Sequence, residues 1–361
     1  MKVLQCIPTL EGGGAERQLC YLAKGLTATG HDVHVVCMRG GVNETRLRSA
    51  GATVDILSDL SPSSPVTFWR LLQTIRRFQP HVVQTWICQM DVWGGIAARW
   101  AERPWILSER CSGTMYPVTL KNRSRLRVAR KVSLVVANSH AGEEYWRQQF
   151  KATPLRSRVI RNALPLAEID AIRADRPESI GTKDRIILFA GRLDAQKNLG
   201  VFFRSLPVVL KGEAVQVLVC GEGPDAGELK QLASDLGIAN RVRFLGYVGN
   251  LYALMKAADV FVSVSKFEGQ PNAVMEAMAC RCPLVVSNIP EHREFLDLRS
   301  AFIASVDSVD SVADQILACL RSADVAREQA ANARTIAERW DLGTNADRYL
   351  EAYQSILHDV Y

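Results

Sequence analysis

The chain lacks an uninterrupted apolar run approaching the about eighteen residues that a membrane-spanning helix needs. Its opening, MKVLQCIP, has only a short apolar stretch broken by Pro8 and Glu11; it fits a first strand better than a cleavable signal, and the expected location is the cytoplasm. No G-x-G-x-x-G turn is followed by a ribose-binding acid about twenty residues on, which argues against a dinucleotide enzyme. No Asp-x-Asp pair stands at a strand end: Asp91, Asp194, Asp225 and Asp259 are scattered, so no metal site is expected. Cysteines number nine, an odd count in a chain too long to need staples, and most lie in apolar runs (Cys6, Cys37, Cys220), as buried reduced thiols do. Cys280-Arg281-Cys282 has no second pair at zinc-ligand distance and reads as structural.

What is present points to two cores. The 361 residues are 48% hydrophobic, enough apolar surface for two domains. Residues 1–168 carry 23 Lys and Arg against 12 Asp and Glu, the remainder 21 against 26, for net charges of +11 and −5. That asymmetry suggests an anionic partner for the first half. The first half alternates short β-rich runs lacking polar alternation with helical patterns, the signature of a parallel sheet covered on both faces. Its first strand, Lys2 to Ile7, leads through Gly12-Gly13-Gly14 into a helix whose Ala15, Leu19, Leu22, Ala23 and Leu26 share one face. Such a turn permits close backbone approach to a ligand, and serves tight packing equally well. A stretch rich in Pro, Gly and charge, Asn162 to Lys183, separates this half from a second with the same layout and no residue-level repeat. The expected division is residues 1–165 with 341–361, a last helix near Thr344 to His358 returning to the first domain, and residues 166–340.

The second half contains the most informative stretch, VSVSKFEGQPNAVMEAMACRCPLVVSN, Val262 to Asn288. It reads as strand, polar loop, helix and strand, and open α/β sheets bind ligands beyond the carboxyl ends of their strands. With Pro271 at the first helical position, the backbone N–H groups of about Gly269 to Ala273 point outward and favour a phosphate. Glu268 on the loop and Glu276 one turn into the helix flank that anion site, an arrangement suited to a sugar nucleotide. The plain alternative is a helix with acids near its start, which the helix dipole favours.

Glu268 and Glu276 have seven residues between them, and EGQPNAVMEAMA resembles the E-x7-E segment of the family GT4 retaining glycosyltransferases. The resemblance continues through FAGRLDAQKN (Phe189 to Asn198), GEGP (Gly221 to Pro224), RVRFLGYV (Arg241 to Val248) and GGGAER (Gly12 to Arg17), in the expected order over most of the chain. It implies the GT-B form of the α/β class, two Rossmann-like doubly wound domains with parallel sheets facing across a cleft, and metal-independent transfer of a sugar from a nucleoside diphosphate sugar to an acceptor hydroxyl. No cofactor is expected; the nucleotide sugar is the donor substrate. Carried onto this sequence, Arg192, Lys197 and Glu268 are the expected catalytic residues. Gly13, Gly14, Arg192, Lys197, Gly269, Gln270, Pro271, Asn272 and Glu276 are expected to hold the donor, Glu268 on the sugar and Glu276 on the ribose.

Two departures stand out. The family often has a histidine in a loop of the first domain where this chain reads Ser108-Glu109-Arg110-Cys111, so Glu109 or Arg110 is the candidate there; Arg281 replaces a glycine before Cys282-Pro283. On the acceptor side, Lys121 to Lys131 packs six cations into eleven residues. A helix places Arg123, Arg127, Arg130 and Lys131 on one face, either as solvated surface or as a dock for anionic membrane or the phosphates of a lipid-linked glycan. Nucleic acid is not an expected partner. The rival readings are a GT-B nucleotide-sugar epimerase or phosphorylase, and a non-catalytic protein binding anionic surfaces through its first domain.

Overall fold

Strands rich in Val, Ile and Leu bury both faces when helices cross back over a parallel sheet. The computed structural model, which describes residues 1–57, 65–110, 119–178 and 180–357, builds this arrangement twice. One compact unit comprises Met1–Ala163 with Trp340–Tyr361, the other Leu164–Arg339. Expected positions Cys111, Val118 and His358 lie outside the described residues.

The first unit runs β1 (Lys2–Thr9), α1 (Gly14–Ala28), β2 (Asp32–Arg39), α2 (Asn43–Ser49), β3 (Thr53–Ile56), α3 (Pro65–Phe78), β4 (Val82–Trp86), α4 (Ile87–Trp100), β5 (Trp105–Glu109), α5 (Leu120–Ala129), β6 (Leu134–Ala137), α6 (His140–Gln149) and β7 (Ser157–Val159). Its seven strands are parallel, in the order β3-β2-β1-β4-β5-β6-β7. The second unit runs α7 (Leu166–Ala171), β8 (Arg185–Ala190), α8 (Leu199–Leu210), β9 (Val215–Cys220), α9 (Ala226–Asp235), β10 (Val242–Gly246), α10 (Leu251–Ala257), β11 (Val260–Ser263), α11 (Asn272–Ala279), β12 (Leu284–Ser287), α12 (Pro290–Arg293), β13 (Phe302–Ala304), α13 (Val309–Arg321) and α14 (Ala323–Ala337). Its parallel strands follow β10-β9-β8-β11-β12-β13. Helix α7 falls where the sequence reads as linker; it is short and buries only Leu166 and Ile169, too little periodicity to announce a helix. Among the described residues no helix is long and apolar enough to cross a membrane.

The last helix, α15 (Leu342–Leu357), packs on α1 and buries Tyr349, Tyr353 and Ile356 in the core beneath the first sheet. Tyr353 also enters a polar network at the sheet centre. Its hydroxyl donates to Gln84 Oε1 and accepts from Gln5 Nε2, while Trp86 Nε1 donates to Gln5 Oε1 at 2.6 Å. A buried network whose members all find partners specifies one docking of the helix.

On the opposite face of that sheet, α5 departs from the expected stripe. Arg125, one of the six cations, is buried, its Nε 2.7 Å from Asp91 Oδ2 and its Nη1 3.0 Å from Glu109 Oε2. Trp146 Nε1 donates to Glu109 and Thr85 Oγ1 to Asp91. Burial pushes the Asp91 carboxyl up to about 6, with Arg125 and the Thr85 bond acting in the opposite direction. One guanidinium thus compensates two carboxylates far from water. Arg125→Met should leave both uncompensated and destabilise the fold by about 3–5 kcal/mol, read as a fall in the urea midpoint; a loss below about 1 kcal/mol would contradict this role.

Candidate active site

In the second sheet the strand order reverses between β8 and β11, the kind of switch point beyond whose strand ends open α/β sheets bind ligands. From β8 comes Gly191-Arg192, a short 3-10 turn Ala195–Lys197, and Asn198 in the left-handed region at φ 56°, its Nδ2 donating to Val306 O. The two glycines of GEGP make room for this loop. Gly221, at φ 127°, lies so close to Gly191 that a Cβ would come within 1.9 Å of its carbonyl oxygen, and one on Gly223 within 2.2 Å of the Leu193 oxygen. Leu193 N–H donates to Glu222 O at 2.9 Å and Gly191 N–H to Cys220 O at 3.0 Å. The backbone carrying Arg192 is thereby clamped to the end of β9.

From β11 comes the Glu268 loop. Glu268 is buried, and its Oε1 accepts from Lys197 Nζ at 2.6 Å and from Ser265 Oγ at 2.6 Å, while Gln196 Nε2 stands 3.3 Å from Oε2. Ser287 Oγ donates to Ser265 O, and His292 Nδ1, 2.9 Å from Ser287 O, carries the hydrogen because a carbonyl only accepts. Burial holds the Glu291 carboxyl above the usual range, with the Glu268 backbone N–H acting in the opposite direction. The structure therefore joins Lys197 to Glu268. Arg192 stands apart: its side chain is 71% exposed and its Nε is 3.5 Å from Asp194.

Helix α11 follows directly. Pro271 is its N-cap and not its first helical residue, and the Asn272 N–H turns back onto Gln270 O at 2.9 Å. The expected row of outward N–H groups is shorter by that bond and by the missing N–H of Pro271. Gln270 and Pro271 are buried, Gly269 and Asn272 partly exposed, and Glu276 is buried one turn on. The far end is fixed twice. Arg281 takes the left-handed position at φ 54°, with its N–H on Met278 O and the Cys282 N–H on Ala277 O, a Schellman ending made without glycine. Arg334, bidentate on Asp170, donates to Ala279 O at 2.6 Å, supplying a cation where the helix dipole is negative.

In the first unit the expected residues fare differently. Gly13 and Gly14 do open α1, but the buried Glu16 carboxylate swings back over Gly13, within 2.2 Å of where a Cβ would stand, and accepts from Thr9 Oγ1 at 2.9 Å. A carboxylate therefore lies directly against Gly13. Glu109 is buried inside the Arg125 cluster. Arg110 stacks on Trp86 at 4.0 Å and donates to Asn162 and to the Tyr349 hydroxyl, tying β5 to α15. Arg123 and Arg127 are exposed on α5; Arg130 and Lys131, also exposed, lie past its end. The eight described cysteines are free and buried, and no group of three or more His, Cys, Asp or Glu among the described residues could hold a metal.

Two family models match, Glycosyltransferase Family 4 over residues 12–168 and Glycosyl transferases group 1 over residues 184–322. The chain belongs to the group 1 glycosyltransferases. It is 28% identical over 228 residues to a Campylobacter jejuni N-acetylgalactosamine-N,N'-diacetylbacillosaminyl-diphospho-undecaprenol 4-alpha-N-acetylgalactosaminyltransferase, a match spanning 61% of this chain and 60% of that one. It is 24% identical to the lipopolysaccharide core biosynthesis glycosyltransferase LpsD of Rhizobium meliloti, over 94% of this chain and 95% of the other. Among solved structures, HepE of Anabaena in complex with UDP and glucose aligns at a TM-score of 0.84 with 23% identity, covering 98% of this chain and 100% of that one. Sucrose-phosphate synthase of Thermosynechococcus elongatus aligns at 0.81 with 17% identity, covering 99% and 100%. At such identities the likeness shows the fold, which for this glycosyltransferase is GT-B.

The sequence reading missed Gln196, Ser265, Glu291 and His292. Gln196 and Ser265 adjoin residues already singled out; Glu291 and His292 reach the site only because β12 pairs beside β11. His292 is fully buried, and desolvation pushes its pKa down to about 4. A histidine depressed in the fold takes its proton first in the unfolded chain, so its contribution is complete above about pH 6.5 and lost as pH falls towards 4. From pH 7 to pH 5 the loss should be about 2 kcal/mol, and His292→Gln should lack that component of the slope. Urea midpoints at the two pH values check this; an unchanged slope in the variant would refute it.

Proposed function

We propose that this glycosyltransferase moves a sugar from a nucleoside diphosphate sugar to a hydroxyl of a lipid-linked glycan, with retention at the anomeric carbon and without a metal ion. The observation that carries the reading is the Lys197–Glu268 pair at the switch point, directly ahead of α11. Lys197 and Arg192 take the diphosphate together with the start of α11, so fixed positive charge meets the negative charge that grows on the phosphate as the glycosidic bond breaks. Arg192, exposed in this structure, swings onto the phosphate. Glu268 exchanges the Lys197 ammonium for hydroxyls of the sugar, and Glu276 takes the ribose. The acceptor oxygen attacks the anomeric carbon from the face the phosphate leaves, and its proton passes to the departing phosphate oxygen. No protein base is needed for that step, consistent with a buried Glu109. The relatives' names, one an undecaprenol-diphosphate glycan transferase and one a lipopolysaccharide core enzyme, support a lipid-borne acceptor. That reading puts the enzyme peripherally at the cytoplasmic face of a membrane.

Variants separate the roles. Glu276→Ala should raise the Kd for the nucleotide by about tenfold or more, the scale of a hydrogen bond to a charged group, and Glu268→Gln should mainly lower kcat. Lys197→Ala and Arg192→Ala should each cost about 10²-fold in kcat, and turnover should survive EDTA. An unchanged nucleotide Kd in Glu276→Ala removes the ribose assignment; activity lost to chelator and restored by Mg²⁺ removes the metal-free one.

A further inference from the structure

Helices α3, α4 and α5 lie side by side on one face of the first sheet, and their outer surface is unusual in two respects. Trp69 on α3 and Trp100 on α4 are 51% and 59% exposed, their rings in edge contact at 6.3 Å with Phe68 beneath both. Beside them opens a pocket of about 200 Å³ floored by Trp105 and walled by Trp100, with Arg99, Arg127 and Lys131 around it. Gly95 lets the Trp105 ring sit against α4, since a Cβ there would come within 2.5 Å of it. Residues 65–131 hold twelve Lys and Arg against three acids. Two of the three, Asp91 and Glu109, are buried against Arg125, which leaves Glu102 as the one exposed carboxylate of the stretch.

We infer that this surface is a docking site for an anionic bilayer, with the indoles of Trp69 and Trp100 entering the headgroup layer and Arg99, Arg127 and Lys131 seating a lipid phosphate in the pocket. Exposed aromatic area alone would suit many partners, but indoles favour the membrane interface. The single exposed carboxylate in residues 65–131, set against three cations lining the pocket, selects a phosphate-bearing surface by charge. The inference rests on the lipid-borne acceptor proposed above and moves the membrane contact off the α5 stripe: Arg127 and Lys131 belong to it, whereas its aromatic half and Arg99 come from α3 and α4.

The test is co-sedimentation of the full chain with phosphatidylcholine vesicles, with and without phosphatidylglycerol. Wild type should bind only the anionic vesicles. Trp69→Ala/Trp100→Ala should weaken binding about tenfold or more, through loss of indole burial. Arg99→Gln/Arg127→Gln/Lys131→Gln should weaken it about 10²-fold, near fivefold per cation. Lys151→Gln/Arg156→Gln, which removes exposed charge elsewhere on the same unit, should change binding less than either. The inference falls if wild type ignores anionic vesicles, if the control pair loses as much as the patch variants, or if inorganic phosphate displaces the protein while the tryptophan variant binds normally. Thermal shift with UDP in lipid-free solution reads the donor site separately: patch variants should keep it, and failure of wild type to bind UDP or any other nucleoside diphosphate would strike the proposed function and leave the docking result standing.

Discussion

The second unit's site depends on where one buried carboxylate is held. Glu268 sits almost out of water, and a carboxylate there is tolerable only if its charge is met at close range. Lys197 and Ser265 meet it on one oxygen, each at 2.6 Å. The consequence runs outward. Lys197 reaches that position only because the preceding loop is clamped by Gly221 and Gly223 and then turned by left-handed Asn198. Ser265 reaches it because Ser287 Oγ, on the neighbouring strand and held in turn by His292, bonds its carbonyl oxygen. The salt bridge is the resting arrangement of a site that faces a diphosphate and a sugar in the proposed reaction, with both partners of the pair exchanged for donor groups.

The first unit solves the same electrostatic problem for a different end. Its buried ions, Arg125 with Asp91 and Glu109, lock α4 and α5 to β5. That cluster consumes the two acids that would otherwise offset the basic surface above it, so a packing device in the interior and a one-signed exterior arise from the same residues. Gly13 and Glu16 show a related economy: the helix start that would attract a phosphate carries its own carboxylate.

Much of the architecture was legible in the sequence because parallel strands buried on both faces are written as short apolar runs, and those runs are local. The first strand, expected at Lys2 to Ile7, spans Lys2–Thr9, and the expected parallel-sheet layout occurs in both units. The E-x7-E spacing likewise placed Glu268 before a helix and Glu276 one turn within it, since a turn of helix is fixed geometry. Arg281 was marked as the missing glycine of a helix end, and it holds the left-handed position there.

What the sequence could not decide was which charged residues face water. In LKNRSRLRVARK every cation looks alike, yet Arg125 is buried while Arg123 and Arg127 are exposed, because only the fold brings Asp91 and Glu109, 34 and 16 positions away, against that one side chain. Glu109, an acceptor-side candidate because of its place in the resembled loop, is drawn into the same cluster. The joining of Trp69 to Trp100, and of Glu291 and His292 to Glu268, follows from strand order and helix packing, which pair residues distant in the chain. By itself the sequence determined the elements, the doubled layout and the motif at the end of β11; partners for buried charge were decided by tertiary structure, because such a charge is satisfied by whatever the packing sets beside it and not by its neighbours in sequence.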